Sequence, residues 1–389
     1  MKNFYDVAIV GAGPAGSFLA YLLSKEKFKV ILIDKEKFPR EKICAGGLTP
    51  KVLKIIPFNL KPVIEKEIFS LRLISKSKKN LYKKYQRPFV YTVKRARFDN
   101  FLAQKAKRVG AVFLPKHKVK KIVEKNGFWQ IEAGNKLVKA KVVVGADGAN
   151  SFVARLMGFR VDSIDIGLQY EIPHLKQQNT QTITIGWDLI PDGYAWVFPN
   201  RQFLEVGVAG PKSLGKKLKL YLETWVKFLG LKRDNLPLSG YPIVHRLRQT
   251  PLVKDKMILI GEAAGLNEPL TGEGIFYALK SAQIAAKHLK DFLTGNPTAL
   301  KNYERNINQE ILPELKTAYL LKKISPIFSP FVFKLIKKND YYWDVLYRLF
   351  SGGKTFLEVK KQLRPDRFIK RIYEIKRATS KFSKSQRYT

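Results

Sequence analysis

The sequence has a single cysteine, Cys44, among 389 residues. An intrachain disulfide is excluded, and a chain of this length buries a core without covalent staples, which fits a reducing, cytoplasmic setting. Histidine is nearly as scarce. His117, His174, His245 and His288 show no metal-ligand spacing with one another or with Cys44, so no metal is expected. No Ser-His-Asp arrangement is legible, and no histidine is assigned a catalytic role. Acidic residues are few: 32 Asp and Glu face 72 Lys and Arg, a formal net charge of +40. Such a field attracts anions, namely lipid headgroups, phosphorylated substrates or nucleic acid. The lysines are spread along the chain without a nucleic-acid-binding motif, which argues against nucleic acid and leaves an anionic membrane surface or a solvated exterior. A long unbroken apolar run is missing too. The uncharged stretch 7–24 contains Gly11, Gly13, Pro14 and Gly16, which interrupt it where a spanning helix must be continuous. No internal repeat is seen, and low complexity is confined to the basic tail after Thr379.

What is present reads as an α/β protein of two or three domains, or one large α/β body with insertions. The apolar run Tyr5-Asp-Val-Ala-Ile-Val10 is a strand, Gly11 to Gly16 a turn, Ser17 to Lys25 a helix, and Lys29 to Asp34 a second buried strand. Together they form a βαβ unit. Further helices are expected over 94–109 and 274–293, and buried strands at 141–145 and 257–261. Between 162 and 208 apolar and polar residues alternate with turn signals, as in an antiparallel sheet.

Gly11-x-Gly13-x-x-Gly16 stands between a strand and a helix, and the next strand ends in Asp34. In that setting the spacing marks a dinucleotide site. Gly11 permits the tight turn, Gly13 lets backbone approach a pyrophosphate, and Gly16 lets the helix pack closely on the strand. The helix N-terminus offers free N–H groups to the phosphates. Asp34 is placed to accept hydrogen bonds from the adenosine ribose.

Five further segments, in order along the chain, carry a resemblance. They are Phe38-Pro-Arg-Glu-Lys-Ile-Cys-Ala-Gly-Gly-Leu48, Arg95-Ala-Arg-Phe-Asp99, Gly145-Ala-Asp-Gly-Ala-Asn-Ser151 with Arg155, Pro191-Asp-Gly-Tyr-Ala-Trp-Val-Phe-Pro199, and Gly261-Glu-Ala-Ala-Gly265 with Pro269-Leu-Thr-Gly-Glu-Gly-Ile275. The chain resembles flavoproteins of the p-hydroxybenzoate hydroxylase fold and, among them, the geranylgeranyl reductase family. The likeness runs from Tyr5 to about Leu293. It implies FAD as cofactor, held by Ala15, Asp34, Cys44, Ala45, Gly47, Arg95, Val119, Glu262, Gly274 and Ile275 beside the glycines of the first turn. Glu262 stands where the family has Asp, and Gly207-Val-Ala209 replaces its glycine pair.

The expected fold is a Rossmann-type FAD-binding domain (1–160 and 251–298), an inserted antiparallel sheet for substrate (161–250) and a helical, basic C-terminal region (299–389). Tyr194, Trp196 and Phe198 stand at period two and face one side of a strand. That places them either in the core or, as the resemblance implies, on the wall of a substrate cavity. Cys44 is the candidate proton donor, since an unperturbed thiol titrates at roughly 8.5; it is equally a small buried hydrophobe. A helix opened by Gly272 and Gly274 would stabilise reduced flavin through its N-terminus. The stretch 321–338 mixes aromatics with lysines, as an interfacial anchor or as helices packed on the core, with Pro326 and Pro330 expected to break it. The resemblance implies reduction of carbon–carbon double bonds in an isoprenoid lipid, prenyl diphosphate or prenylated quinone. The same fold also serves FAD monooxygenases of aromatic or polyprenyl substrates. A basic membrane- or nucleic-acid-binding protein without catalysis rests on charge alone. No second nucleotide site is visible, so the electron donor is left open between a protein such as a ferredoxin and NAD(P)H.

Overall fold

The computed structural model describes residues 4–77, 79–173, 181–233 and 235–362, except for the side chains of 326–332 and 335. His174, the tail after Thr379 and the last part of the expected C-terminal region (363–389) lie outside the described residues.

The strand Phe4–Val10 lies at the centre of an eight-stranded sheet, with Val30–Ile33 and Lys136–Gly145 beside it in parallel. Val112–Leu114 extends the sheet on one side and Met257–Leu259 on the other, both parallel to their neighbours. Val-Ile-Leu-Ile in the second strand is buried throughout, as a parallel strand covered on both faces must be. The helices Pro14–Lys25, Arg95–Arg108 and Ile275–Leu293 pack together on this sheet. The expected strands and helices all occur: the first strand begins one residue earlier and the first helix begins at Pro14, inside the stretch read as a turn, while 29–34, 94–109, 257–261 and 274–293 are trimmed at their ends and 141–145 is the end of the longer strand Lys136–Gly145.

A second, seven-stranded sheet runs in the order Ser239–His245, Ser163–Pro173, Phe203–Pro211, Tyr194–Pro199, Thr182–Trp187, Ser70–Ser75, Asn80–Lys84. It is antiparallel except where Thr182–Trp187 meets Ser70–Ser75 in parallel. Its last two strands come from inside the stretch read as nucleotide-binding domain, so the two domains exchange chain at 70–84 and the cut at 160 does not separate them. One face is covered by the helix Lys217–Phe228, which buries Leu218, Leu222, Trp225 and Val226 at helical spacing. Leu71, Leu73, Ile183 and Phe89 pack with Phe333, Ile336 and Trp343 from the C-terminal helices.

Those helices correct one expectation. Leu312–Lys338 is a single helix that continues through Pro326 and Pro330. A proline inside a helix leaves the carbonyl four residues back without its donor. For Pro326 that carbonyl belongs to Lys322, and the Ser325 hydroxyl donates to it at 3.1 Å. The helix then turns into Asp340–Ser351, capped by the Asn339 side chain on the Tyr341 N–H. Among the described residues no helix is long and apolar enough to cross a membrane.

Candidate active site

Both sheets and the C-terminal helices open onto one cavity of about 730 Å³. Of the cofactor and cavity residues expected from the sequence, all line it except Gly16, which serves packing. Gly11 has φ +104°, and a Cβ there would fall on the Ala146 carbonyl. A Cβ on Gly16 would strike the Gly11 carbonyl. Gly13 differs: the nearest atom to a Cβ would be the Arg40 guanidinium, 3.6 Å away. No protein contact requires glycine at that position, whereas a ligand approaching the helix start would. Asp34 accepts from Ala12 N–H (2.7 Å) and Glu36 N–H (2.9 Å), which fixes its carboxylate at the end of the turn. Arg95 donates twice to Asp99, at 2.8 Å each. Burial works against the guanidinium's charge, but the pairing with Asp99 outweighs it and holds the group firmly protonated. Arg40 shares Asp99 at 3.0 Å.

Across the cavity the turn 268–274 is built around Glu268, a residue with no exposure. Its carboxylate accepts from the Leu270 and Thr271 N–H groups (2.5 and 2.9 Å) and from the Thr271 hydroxyl. Tyr194 ties the second sheet to this turn by donating to the Thr271 carbonyl at 2.8 Å. Gly272 takes φ +71° beneath the Tyr194 hydroxyl, and the helix Ile275–Leu293 starts immediately after Gly274. Glu262 carries one methylene more than the Asp of the family. It accepts from the Tyr241 hydroxyl of the second sheet at 2.5 Å and faces the Asn267 amide at 3.4 Å.

Tyr194, Trp196 and Phe198 share one face and line the cavity. Trp196 lies flat over Gly207, where a Cβ would enter its ring, so that glycine makes room for an indole. Phe198 covers Gly47, whose Cβ would come within 2.7 Å of the ring. Beyond the aromatics the cavity becomes an apolar chamber between Leu71, Leu73, Ile183 and Ile185 on the sheet and Leu346 and Phe350 on the C-terminal helices. Cys44 lies on the wall with Gly46 N–H on its sulfur at 3.4 Å and the Arg95 guanidinium nearby.

Several buried polar groups here were not singled out in the sequence. Asp165 accepts from His245 Nε2 at 3.2 Å and from the Lys322 ammonium, and His245 Nδ1 meets the Asn267 carbonyl at 2.9 Å. Both ring nitrogens face oxygen acceptors, a pattern satisfied by two N–H donors. Burial pushes the Asp165 carboxyl up, but His245 and Lys322 prevail and hold it below the ordinary carboxylate range. Lys42, whose ammonium rests on the Tyr241 ring, also lines the cavity. Glu205 lies behind Gln169, which donates to it at 2.8 Å, and burial with Glu171 nearby pushes its carboxyl up to about 8. Lys42 lies within the segment 38–48, whereas only spatial proximity links Asp165, His245, Lys322 and Glu205, so no local sequence signal could have found those. His117 lines the nucleotide end, bonded to the Pro115 carbonyl, and His288 is buried in the helix Ile275–Leu293. Among the described residues no cluster of His, Cys, Asp or Glu could hold a metal ion.

The site fits FAD. Gly13 leaves backbone open to a ligand, the helix starting at Pro14 presents its N-terminus, and Asn267 Oδ1 is a buried acceptor on the cavity wall without a protein partner. Fold and site together define an FAD-dependent oxidoreductase. Residues 4–171 match the family model described as FAD binding domain. An uncharacterized protein of Methanosarcina barkeri is 33% identical over 90% of this chain and 91% of its own length. Digeranylgeranylglycerophospholipid reductase of Methanocaldococcus jannaschii is 27% identical over 99% and 98%. The crystal structure of a geranylgeranyl bacteriochlorophyll reductase-like protein from Thermoplasma acidophilum superposes with a TM-score of 0.74, at 25% identity over 90% of this chain and 92% of that one. The chain belongs to the geranylgeranyl reductase family of FAD-dependent oxidoreductases.

Proposed function

We propose that the protein reduces carbon–carbon double bonds in the isoprenoid chain of a lipid, a prenyl diphosphate or a prenylated quinone. The observation that carries this is the apolar chamber, continuous with the nucleotide end and closed by Leu346 and Phe350 of the C-terminal helices. Its lining suits a long unsaturated hydrocarbon and offers little to a sugar or an amino acid. The digeranylgeranylglycerophospholipid reductases among its relatives point the same way.

Bound FAD supplies the hydride. The chain contributes the rest. Gly11, Gly13 and Asp34 hold the nucleotide, and the turn fixed by Glu268 and Tyr194 sets the N-terminus of the helix Ile275–Leu293 against the cavity. Tyr194, Trp196 and Phe198 hold the chain and keep water out, which gives orientation in place of chance encounter. An isolated alkene accepts hydride poorly, so a proton must reach the other carbon. Cys44 is the group on the wall to which we assign that proton. The positive field favours anionic headgroups and an anionic membrane surface as the source of substrate, and electrons arrive from a donor such as a ferredoxin or NAD(P)H.

The test is anaerobic. The flavin of the purified protein is reduced chemically, geranylgeranyl lipid or diphosphate is added, and mass spectrometry looks for pairs of added hydrogens with flavin reoxidation. Reoxidation only by oxygen, with an oxygenated product, would overturn the reading in favour of a monooxygenase.

A further inference from the structure

One corner of the second sheet combines uncompensated positive charge with exposed aromatic rings. The strand Asn80–Lys84 is the outer edge of that sheet. Lys83 reaches from it to Asp340 at 2.7 Å, which brings the edge against the junction between the helices Leu312–Lys338 and Asp340–Ser351. Lys79, Lys84 and Arg87 on the strand side and Lys334, Lys337 and Lys338 on the helix side are exposed. The two carboxylates of the junction helix are already matched, Asp340 by Lys83 and Asp344 by Arg348. Tyr82 and Tyr341, beside the Lys83–Asp340 pair in sequence, are each 50% exposed.

Lysines on an edge strand by themselves keep other strands from pairing with it. Exposed tyrosines beside them do not serve that purpose. Rings with an apolar body and a polar tip, flanked by long cationic side chains, suit the boundary between lipid headgroups and acyl chains. Position adds to composition. Leu71 and Leu73 stand on the strand paired with Asn80–Lys84, and Leu346 and Phe350 on the junction helix; all four line the apolar chamber. The corner is thus the outer rim of the two elements that wall the chamber.

We propose that this corner is the face with which the protein rests on an anionic lipid bilayer. Its lysines and Arg87 meet the lipid phosphates, and Tyr82 and Tyr341 enter the headgroup layer. An isoprenoid chain then leaves the acyl layer beside the chamber that takes it. Contact is at the surface, since among the described residues no helix is long and apolar enough to cross a membrane. The purpose of the contact rests on reading the substrate as a lipid; the contact itself does not.

The experiment sediments the full-length holoprotein with vesicles of phosphatidylcholine, alone or with about one third phosphatidylglycerol, at low salt and at about 1 M, where charges act over only about 3 Å. Wild type is expected to bind the anionic vesicles at low salt, to leave them at high salt and to ignore the neutral ones. Lys79→Gln, Lys84→Gln, Lys337→Gln and Lys338→Gln together lower the affinity roughly fivefold per lysine, on the order of several hundredfold in all. The control takes the same charge from the helix Lys217–Phe228 and the residue before it, on the face of the sheet turned away from the cavity. There Lys216→Gln, Lys217→Gln, Lys219→Gln and Lys227→Gln leave the affinity within about threefold of wild type, because these charges lie beyond the screening length from the bilayer. Tyr341→Ser weakens binding without changing its salt dependence. Equal losses from the two lysine sets, or a wild type that ignores anionic vesicles, would overturn the proposal. None of the replaced lysines lines the cavity, so turnover of detergent-dispersed geranylgeranyl lipid by the reduced protein is expected to match wild type in both sets. Absence of that turnover in wild type would count against the proposed function and leave the vesicle result standing.

Discussion

Asp165 holds three parts of the protein together, and removing it tests how. The carboxylate is 5% exposed, His245 1% and Lys322 6%. Asp165 comes from the second sheet, Lys322 from the long C-terminal helix, and His245 reaches the turn before Gly274 through the Asn267 carbonyl. Asp165→Ala strands an ammonium and an imidazole N–H out of water. Breaking a buried pair this way costs about 3–5 kcal/mol. Lys322→Met leaves the Asp165–His245 bond and fills the space of the lysine stem, so its cost is about 1–2 kcal/mol. Combining the two changes relieves the stranded ammonium, and the double variant should be more stable than the sum of the two costs implies, by about 0.5–3 kcal/mol. Urea unfolding followed by tryptophan fluorescence reads these differences. With a slope of about 3 kcal/mol/M, Asp165→Ala moves the midpoint by roughly 1–1.7 M. The pH dependence has a definite sign. The Asp165 carboxyl is held low in the folded protein, so its stabilisation is present above the unfolded value of roughly 4 and fades as pH falls through the lower folded one. If Lys322→Met is as costly as Asp165→Ala, or Asp165→Ala leaves the midpoint unmoved, the carboxylate is not the shared anchor.

Other expectations follow from the cavity. Leu346→Trp fills the chamber far from the nucleotide end; the flavin spectrum should be unchanged while turnover of a geranylgeranyl chain falls tenfold or more, about 1.4 kcal/mol, and a shorter prenyl chain suffers less. Gly47→Ala pushes a methyl into the Phe198 ring and should cost about 1–3 kcal/mol in thermal or urea unfolding. Glu262→Asp withdraws the carboxylate from Tyr241, and Tyr241→Phe removes the same bond from the other side; each should cost about 1–2 kcal/mol in urea unfolding, and the pair should not add. Cys44→Ala should keep its FAD and slow single-turnover product formation by about 10²–10⁴ if the thiol delivers the proton; an unchanged rate moves that role to water.

The nucleotide end was legible because its constraints are local. Gly11 must take φ +104° under the Ala146 carbonyl, and that requirement shows in a six-residue spacing. The same holds for Tyr194, Trp196 and Phe198, whose shared face follows from the two-residue period of a strand. The fold class was legible from apolar runs such as Val30–Ile33, but the pairing of Thr182–Trp187 with Ser70–Ser75 was not, since an apolar alternation does not name its neighbour. Lys322 and Asp165 are 157 positions apart, and their meeting is a product of the whole fold. Pro326 misled for a different reason. The rule that proline breaks a helix was applied without the Ser325 hydroxyl, which satisfies the carbonyl the rule assumes is abandoned.

The chain is threaded so that neither half can finish alone. Strands 70–84 belong to a sheet whose other members arrive after residue 160, and the parallel sheet of the first domain waits for Met257–Leu259 and the helix Ile275–Leu293. A ribosome that has delivered the first two hundred residues has delivered the glycine turn, yet the wall opposite it is still to be synthesised. The chamber is later still, since Leu346 and Phe350 emerge near the end. Assembly is therefore dominated by contacts between residues far apart in sequence, the class that forms slowly and leaves apolar edges open meanwhile. A product that stopped before the helix Leu312–Lys338 would leave Leu71, Leu73 and Ile183 without their cover of Phe333, Ile336 and Trp343, an apolar surface that favours aggregation.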